Sequence, residues 1–404
     1  MTAARAAARA LTGLRVVECG DGVAAAYAAK LLADLGADVV KVEPPAGDST
    51  RRRGPFPGGE PHPERSGLFL YLNANKRGVV LDLARGSDRT ALDRLLAGAD
   101  LFISDLSAGQ LAERGLAWDD VHARHPRATM TSIAPFGLSG PHAELEATDL
   151  ILWAAGGIAY LNGGGPGSEA MPPLKAFGQQ ASFQGGVHAA VASMGALLGR
   201  QRLGGTGQHV EVSIQECLAS ILELTYVYWP YMGLVASRLG QKPIQPLDFF
   251  ECRDGWIFLC CIEEHQWRSF VELMGSPEWA AMDLFQDRLS RGANWDALKM
   301  FLQEWVREQS VRELYEAAQA RRVPFAPVST MGDLLASEHL AARGFFAELS
   351  HPAAGRLRYP GAPYRFSATP WHLERPAPLL GEHTVAVLGE LGVEPARVPG
   401  SERA

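Results

Sequence analysis

The sequence has few cysteines, no long apolar run and no block of charge of one sign. Its five cysteines are scattered over 404 residues without a C-x-x-C spacing, which excludes a disulfide framework and offers no zinc or redox motif. A membrane span needs about 20 consecutive apolar residues, and Gly, Arg, Gln or Glu interrupts each apolar stretch well before that length. The 38 basic and 45 acidic side chains give a net charge of −7, a balance that disfavours nucleic-acid partners. We expect a soluble, cytoplasmic protein with no metal and no nucleic-acid or membrane partner.

Several catalytic and nucleotide-binding motifs are also missing. No Gly-Lys dipeptide occurs, so a phosphate-binding G-x-x-x-x-G-K-[ST] loop is excluded. The sequence contains neither an H-E-x-x-H motif nor a G-x-S-x-G nucleophile elbow. The consecutive glycines Gly163, Gly164 and Gly165 lack the preceding strand and following helix of a dinucleotide fingerprint. This stretch therefore predicts a flexible loop or lid.

Strand and helix patterns alternate in the first half of the chain. Residues 14–18 (LRVVE) predict a strand, AAAYAAKLLADLGA predicts a helix that ends at Gly36, and residues 38–43 predict a second strand. Further strands are predicted within 79–83, 101–105 and 128–136. Such crossovers favour a parallel sheet covered by helices. The class is therefore α/β. The small-residue run at 183–200 predicts a helix buried on most sides.

A change of pattern near residue 226 indicates a domain boundary. The stretch from 226 to 248 is rich in aromatics and prolines, and its tyrosines and tryptophan predict either a substrate pocket or, more often for such clusters, core. After it, FFECRDGWIFLCCI predicts a hairpin with Asp254-Gly255 at the turn, followed by three or four amphipathic helices up to about 322. This is the pattern of a small α+β domain.

Two basic clusters stand out. Arg51-Arg52-Arg53 lies in a Gly/Pro-rich segment, and Asn75-Lys76-Arg77 directly precedes a predicted strand. Cationic and amide side chains near a strand end can hold a phosphorylated ligand through charge-assisted hydrogen bonds. Taken alone, a cluster of this kind is more often a solvated loop than a binding site.

In combination, several motifs resemble the family III CoA-transferases, the group of formyl-CoA transferase, carnitine CoA-transferase and α-methylacyl-CoA racemase. The similarity extends from about residue 11 to 392. The motifs that carry it are LTGLRVVECGDG, KLLADLGADVVKVEPPAGD, LNANKRGVVLDL, GTGQHVEVSIQE, VPFAPVSTMGDLL and RPAPLLGEHTVAVLGELG.

This resemblance implies a fold, an assembly and a ligand. It implies a Rossmann-like large domain formed by both chain ends (1–225 and 331–404), a small α+β domain (226–330), and an interlocked dimer of two subunits threaded through one another. It also implies acyl-CoA as a substrate, with no permanently bound cofactor. By position, the candidate CoA contacts are Arg52, Asn75, Lys76, Arg77, Ser104 and Asp105, of which Ser104-Asp105-Leu106 replaces the family's usual Glu-Asn-Phe.

The resemblance also locates a substitution in the expected catalytic site. In the transferases an aspartate attacks the acyl-CoA thioester, and nucleophilic catalysis of this kind needs its carboxylate. By position, the family's aspartate corresponds to Ser182, and no Asp or Glu occurs from Ala170 to Val210. Asp149 matches an aspartate that racemases and transferases also have, but Thr148 replaces the histidine that precedes it in racemases. A His/Asp acid–base pair is thereby disfavoured.

Three functions remain open from the sequence. The first is CoA transfer between carboxylic acids, with Ser182, Asp149, Gln179, Gln180 and the triple-glycine loop forming an altered site. The second is a CoA-binding subunit without transferase activity of its own, acting as the partner of an active paralogue. The third is hydrolysis of acyl-CoA. The expected partners are acyl-CoA, a carboxylic acid and a second subunit, in a homodimer or a heterodimer with a paralogue.

Overall fold

The chain folds into two compact units in a computed structural model that describes residues 9–164, 168–239 and 245–393. The first unit takes in the described residues up to Gly163, then Pro172–Arg238, and those from Gly344 onward. The second comprises Leu239–Arg343 and the described part of Gly164–Met171. The borders predicted at 225/226 and 330/331 fall earlier in the chain than these limits, and they stay a prediction, as does the interlocked dimer.

A six-stranded sheet forms the centre of the first unit, and every neighbouring pair of its strands is parallel. The strands are β1 (Arg15–Cys19), β2 (Asp38–Glu43), β3 (Arg77–Val80), β4 (Leu101–Ser104), β5 (Thr129–Ala134) and β6 (His209–Ser213). They lie in the order β3-β2-β1-β4-β5-β6. This confirms the α/β prediction, and the strand predicted over 38–43 has the same ends in the structure. Because the strand order reverses between β1 and β4, the crevice beyond the carboxyl ends of these two strands is the expected ligand site.

The described residues of the first unit form ten α-helices between residues 24 and 232. They are α1 (Ala24–Asp34), α2 (Gly67–Asn73), α3 (Gly86–Ala97), α4 (Ala108–Glu113), α5 (Trp118–Arg124), α6 (Asp149–Ala155), α7 (Ile158–Leu161), α8 (Gln180–Gly199), α9 (Ile214–Ser220) and α10 (Glu223–Met232). Successive side chains of a strand point to opposite faces of the sheet. Accordingly, Val16 belongs to the core cluster that includes residues of α1 and α8, whereas Val17 belongs to the cluster that includes residues of α3.

Two sequence predictions about burial have different outcomes in the single chain. Helix α8 is buried on most sides, as predicted, because the exposed residues Val187, Val191, Gly195 and Leu198 form a single stripe. The aromatic residues of α10 are not core, since Tyr226, Trp229 and Tyr231 are 63–85% exposed. The sequence shows that these residues are apolar. Which apolar face of a helix packs against the core depends on long-range contacts.

The second unit is built on an antiparallel hairpin. Strands β7 (Leu247–Cys252) and β8 (Gly255–Cys260) pair as predicted, and β9 (Phe325–Pro327) adds to β8. The helices of this unit are α11 (Glu264–Leu273), α12 (Arg288–Ala293), α13 (Trp295–Arg307), α14 (Val311–Ala320), α15 (Met331–Ala336) and α16 (Glu338–Ala342). Its core contains residues of the hairpin and of α11, α13 and α14.

The chain then returns to the first unit. Strands β10 (Phe346–His351) and β11 (Gly355–Pro360) form an antiparallel pair, and α17 (Thr384–Glu390) is the last helix of the described chain. The Thr384 hydroxyl accepts a hydrogen bond from the Val80 N–H at 3.0 Å. This contact fixes α17 against β3, at the edge of the parallel sheet.

Candidate active site

A cavity of about 500 Å³ opens at the carboxyl ends of β1, β4 and β5, where the strand order reverses. Its wall combines apolar residues with a few polar groups, as ligand sites commonly do. The polar and charged residues of the wall are Asp21, Arg53, Asp105, Thr148, Asp149, Lys175, Gln179 and Ser182. Four residues singled out in the sequence, Asp105, Asp149, Gln179 and Ser182, are therefore brought together here.

Ser182 and Asp149 contact each other within this wall. Asp149 is the first residue of α6, and Ser182 lies in the first turn of α8. The Oδ1 atom of Asp149 accepts hydrogen bonds from the Ser182 N–H at 2.9 Å and from the Ser182 hydroxyl at 3.1 Å. The other oxygen, Oδ2, lies 3.0 Å from the ammonium of Lys175. Both oxygens of this carboxylate are thus engaged.

Lys175 also holds the segment that leads into α8. Its Nζ donates to the carbonyls of Ala176 at 2.8 Å and Gly178 at 2.6 Å, in addition to pairing with Asp149. The side chain is 18% exposed. The ion pair therefore joins α6 to the turn that precedes Ser182 and fixes the position of that serine.

The chemistry of this arrangement differs from that of a free carboxylate. Oδ1 of Asp149 accepts N–H and O–H donors, and Oδ2 accepts no hydrogen bond but is paired with the Lys175 ammonium, whose charge lowers the availability of the carboxylate for attack on a thioester. Ser182 donates its hydroxyl proton to a carboxylate, but the wall contains no histidine that could act as a general base for it. Within the described residues, the cavity can bind and orient a ligand more readily than it can form a covalent bond to it.

The remaining loop candidates lie outside the cavity wall. Gly163 and Gly164 have left-handed backbones, with φ of 85° and 74°, and Gly165 lies outside the described residues. Gln180 begins α8, and its amide donates to the Phe177 carbonyl at 3.4 Å. Of these neighbouring residues only Gln179 contributes to the wall.

Asp105 follows β4 and occupies the turn between β1 and α1. Its carboxylate accepts hydrogen bonds from the N–H groups of Asp21 at 2.9 Å and Ala25 at 3.1 Å. Burial raises the pKa of Asp105 to about 6, although these two backbone hydrogen bonds oppose the shift. Ser104 points elsewhere, since its hydroxyl donates to the Cys19 carbonyl at 2.6 Å. Ser104 is fully buried and is not part of the wall.

Lys76 is fully buried beneath the sheet edge, in a cluster of charged groups. Its ammonium donates to Glu18 at 2.7 Å, to the Ala26 carbonyl at 2.8 Å and to Asn73 at 2.9 Å. All three of its N–H donors are engaged within the chain. Burial lowers the pKa of Lys76 to about 8, and the charge of Glu18 opposes this effect. A contact of Lys76 with CoA stays a prediction.

Asn75 connects distant segments of the first unit. Its amide donates to Asp34 and to the His372 carbonyl, both at 2.7 Å. Its carbonyl oxygen accepts from the N–H groups of Glu374 at 2.9 Å and Arg375 at 3.1 Å. The four contacts use its full hydrogen-bonding capacity, and its role in binding CoA stays a prediction.

Arg77 makes a pair of surface salt bridges instead. Its guanidinium contacts Asp38 at 2.7 Å and Glu390 at 2.9 Å. Neither Asn75 nor Arg77 is part of the cavity wall. The contact of Arg77 with CoA therefore stays a prediction, like that of Asn75.

The three consecutive arginines have three different environments. Arg51 is buried and pairs with Glu43 at 2.7 Å and with Glu64 at 2.6 Å. Arg52, the residue chosen from the sequence, is exposed and donates to the Ala46 carbonyl at 3.1 Å. Arg53 is the member of the cluster that lines the cavity.

Sequence reasoning missed three charged residues of the wall: Asp21, Arg53 and Lys175. Arg53 belonged to a recognised cluster, but composition does not distinguish adjacent arginines. Lys175 stands in MPPLKAFG with no other Asp, Glu, Lys or Arg from Ala170 to Gly199. An isolated lysine in such a stretch, close to the position predicted for the nucleophile, is the signal that could have identified it.

In the ranges that the structure describes, the side chains and helices offer neither a metal site nor a membrane span. No group of three His, Cys, Asp or Glu side chains there is arranged to hold a metal ion. Likewise, none of the described helices combines the length and apolar character needed to cross a bilayer.

Comparison with known proteins identifies the family. The profile of CoA-transferase family III matches residues 11–384. The chain is 36% identical to the succinyl-CoA:(R)-benzylsuccinate CoA-transferase subunit BbsE of Thauera aromatica, over 91% of this chain and 90% of that protein. It is 31% identical to the succinyl-CoA:mesaconate CoA-transferase of Haloarcula marismortui, over 95% and 97%.

A solved structure extends this similarity to the fold. A CAIB/BAIF family protein from Brucella suis superimposes with a TM-score of 0.85 at 30% identity, covering 95% of this chain and 99% of that one. The sequence profile, the relatives and the fold agree with the resemblance seen in the motifs. The chain belongs to the family III CoA-transferases.

Proposed function

We propose that this chain binds a CoA thioester in the cavity and serves in CoA transfer between carboxylic acids as a subunit that does not form the covalent intermediate itself. A paralogous partner subunit would supply the nucleophilic aspartate. In the full reaction, a carboxylate attacks the thioester carbon and releases CoA thiolate, which leaves a mixed anhydride. The thiolate then attacks the enzyme carbonyl of the anhydride, which releases the first acid and leaves an enzyme–CoA thioester. The acceptor acid receives its CoA from this thioester.

The contact between Ser182 and Asp149 carries this proposal. The first step needs a carboxylate with an available oxygen. Oδ1 of Asp149 accepts two hydrogen bonds from Ser182, and Oδ2, which accepts no hydrogen bond, is buried 3.0 Å from the positive charge of Lys175. An ester on Ser182 would lie at lower energy than an anhydride, so CoA thiolate could not readily be acylated from it. The cavity therefore retains a place for the ligand and lacks the group that would capture its acyl part.

The relatives support a subunit role. BbsE of Thauera aromatica is named as one subunit of its CoA-transferase, and relatives from Chloroflexus aurantiacus are named as alpha and beta subunits of another. Membership of a multi-subunit transferase is thus compatible with similarity over almost the whole chain.

Exposed apolar side chains support an assembly with a second chain. Val191 and Leu198 on α8, and Trp229 and Tyr231 on α10, are each more than 60% exposed. Large exposed apolar side chains such as these can mark a protein interface. We propose an interlocked dimer, formed either with a second copy or with the aspartate-bearing paralogue, and multi-angle light scattering would measure its mass.

The test separates binding from transfer. The purified chain is incubated with succinyl-CoA and a panel of carboxylic acids, and products are followed by mass spectrometry. Calorimetry measures CoA binding in parallel. We expect binding without exchange. The mass of the protein should also stay unchanged after treatment with borohydride, which would reduce an enzyme thioester to a lighter alcohol, or with hydroxylamine, which would convert it to a heavier hydroxamate. Co-expression with an aspartate-bearing family member should produce exchange.

Two results would contradict this role. Exchange by the chain alone, abolished by Ser182→Ala or Asp149→Asn, would show a working transferase with an altered site. Release of CoA thiol without any acceptor acid would indicate a hydrolase. Matching unfolding curves of the variants and the unchanged chain would exclude loss of the fold as the reason.

A further inference from the structure

The charged residues of the cavity wall are nearly all neutralised or hydrogen-bonded. Asp149 pairs with Lys175, and Asp105 accepts two backbone N–H groups. Asp21 accepts the N–H of Ser49 at 2.5 Å. Arg53 differs, because its guanidinium makes no hydrogen bond or ion pair with any residue that the structure describes. It is therefore the charged group of this wall that remains available to a ligand.

The backbone of Arg53 is nevertheless held firmly. Its N–H donates to the Thr50 carbonyl at 3.1 Å, and its carbonyl accepts the Ser66 hydroxyl at 2.5 Å. Ser66 is fully buried and also caps α2. A cationic side chain on a fixed backbone, at the edge of a cavity, loses little further freedom when it binds an anion.

The usual anion site of such a sheet is already filled. In doubly wound folds the turn after the first strand and the N-terminus of the following helix receive a ligand phosphate. Here the carboxylate of Asp105 accepts the N–H groups of Asp21 and Ala25 in that turn. A Cβ atom on Gly20 would stand 2.2 Å from Asp105 Oδ1, so the glycine makes room for this carboxylate. A second anion in the same place would meet the negative charge of Asp105, which already accepts two of the N–H groups of this turn.

We propose that Arg53 is the anion-binding residue of this cavity, and that the turn between β1 and α1 is closed to anions by Asp105. The ligand group is a phosphate or carboxylate of the CoA thioester, which a guanidinium can hold through two parallel hydrogen bonds. The identity of the ligand rests on the proposed function, whereas the presence of an anion site at Arg53 does not.

Calorimetry on the full chain tests the assignment with four probes. Coenzyme A and inorganic diphosphate carry phosphates, succinate carries carboxylates, and pantetheine carries neither. The test variant is Arg53→Gln. It is compared with Arg52→Gln, because the sequence predicted Arg52 as the CoA contact whereas the structure leaves this adjacent, exposed arginine outside the wall. Loss of a charge-assisted pair predicts about tenfold weaker binding or more. We expect Arg53→Gln to lose this affinity for the anionic probe that binds and to keep its affinity for pantetheine. The affinities of Arg52→Gln should be unchanged.

The probes also identify the source of the anion. Weaker binding of coenzyme A and diphosphate assigns Arg53 to the phosphates, and weaker binding of succinate assigns it to the carboxylate. Equal affinities of Arg53→Gln and Arg52→Gln for every anionic probe would overturn the proposal. An equal loss for pantetheine and coenzyme A would also overturn it, because pantetheine has no anionic group.

A second variant predicts a change of opposite sign. Asp105→Asn removes the negative charge from the turn, so coenzyme A or diphosphate should bind several-fold more tightly at pH 7.5. Unchanged or weaker binding by the folded variant would refute the closed turn. The unchanged chain could bind diphosphate but not coenzyme A, with Arg53→Gln binding diphosphate more weakly. That result would support the anion site at Arg53 and contradict the proposed function.

Discussion

Ser182 and Asp149 are joined by two hydrogen bonds to a single carboxylate oxygen, one from the serine N–H and one from its hydroxyl. The motif resemblance places Ser182 at the position of the family's nucleophile, and the serine acts as a hydrogen-bond donor here. The carboxylate that it contacts comes from a different helix, and the other oxygen of that carboxylate lies 3.0 Å from the ammonium of Lys175. That the carboxylate of Asp149 takes no part in covalent chemistry is part of our proposal.

Introducing a carboxylate at position 182 should restore covalent chemistry. We expect Ser182→Asp to exchange CoA between succinate and other acids and to accumulate an enzyme–CoA thioester detectable by intact mass. The new carboxylate lies close to Asp149, and like charges raise one pKa of such a pair, so exchange should increase with pH. Ser182→Ala is the control and should show none. A folded Ser182→Asp variant that binds CoA without exchange would contradict the expectation.

The pair of Lys175 and Asp149 should contribute measurably to stability. Removing one partner of a fully buried ion pair costs about 3–5 kcal/mol. Because Lys175 is 18% exposed, we expect Lys175→Met to lower the free energy of unfolding by about 2 kcal/mol. Urea denaturation measures it, with Lys299→Met as a control, since the pair of Lys299 and Asp248 is more exposed. Equal losses in the two variants would argue against a special role for Lys175.

Lys76 should behave as a structural residue. Lys76→Met removes a fully buried ammonium from Glu18 and leaves Asn73 without its partner. We expect a loss of about 3–5 kcal/mol in the free energy of unfolding, or failure to fold. Arg312→Met, which breaks an exposed surface pair with Glu316, should leave the free energy of unfolding nearly unchanged. A stable Lys76→Met variant with weakened CoA binding would instead support the contact predicted from the sequence.

Mild acid should weaken the fold through His209. Burial lowers its pKa, although the charges of Glu211 and Asp119 oppose the shift. The unfolded chain then binds the proton more readily, so the free energy of unfolding falls as pH drops through about 6.5. Urea denaturation at pH 7.5 and 5.5 should show a smaller decrease in His209→Gln than in the unchanged chain. The same decrease in both proteins would exclude this histidine as the cause.

The sequence by itself determined the architecture of the sheet. Strand and helix periodicity are local properties, so the βαβ unit at 14–43 and the hairpin around Asp254-Gly255 could be predicted from neighbouring residues alone. The absence of any Asp or Glu from Ala170 to Val210 likewise needed no structure. These features depend on residue type and spacing, which the sequence records directly.

Only the tertiary structure decided which side chains face the cavity. Adjacent arginines look alike in sequence, but Arg51 is held by Glu43 and by the carbonyl of Pro378, more than 300 residues away, whereas Arg53 lines the site. Asp149 and Ser182 meet because α6 and α8 pack together across 33 residues of sequence. Side-chain surroundings are set by contacts between distant segments, and no local pattern encodes them.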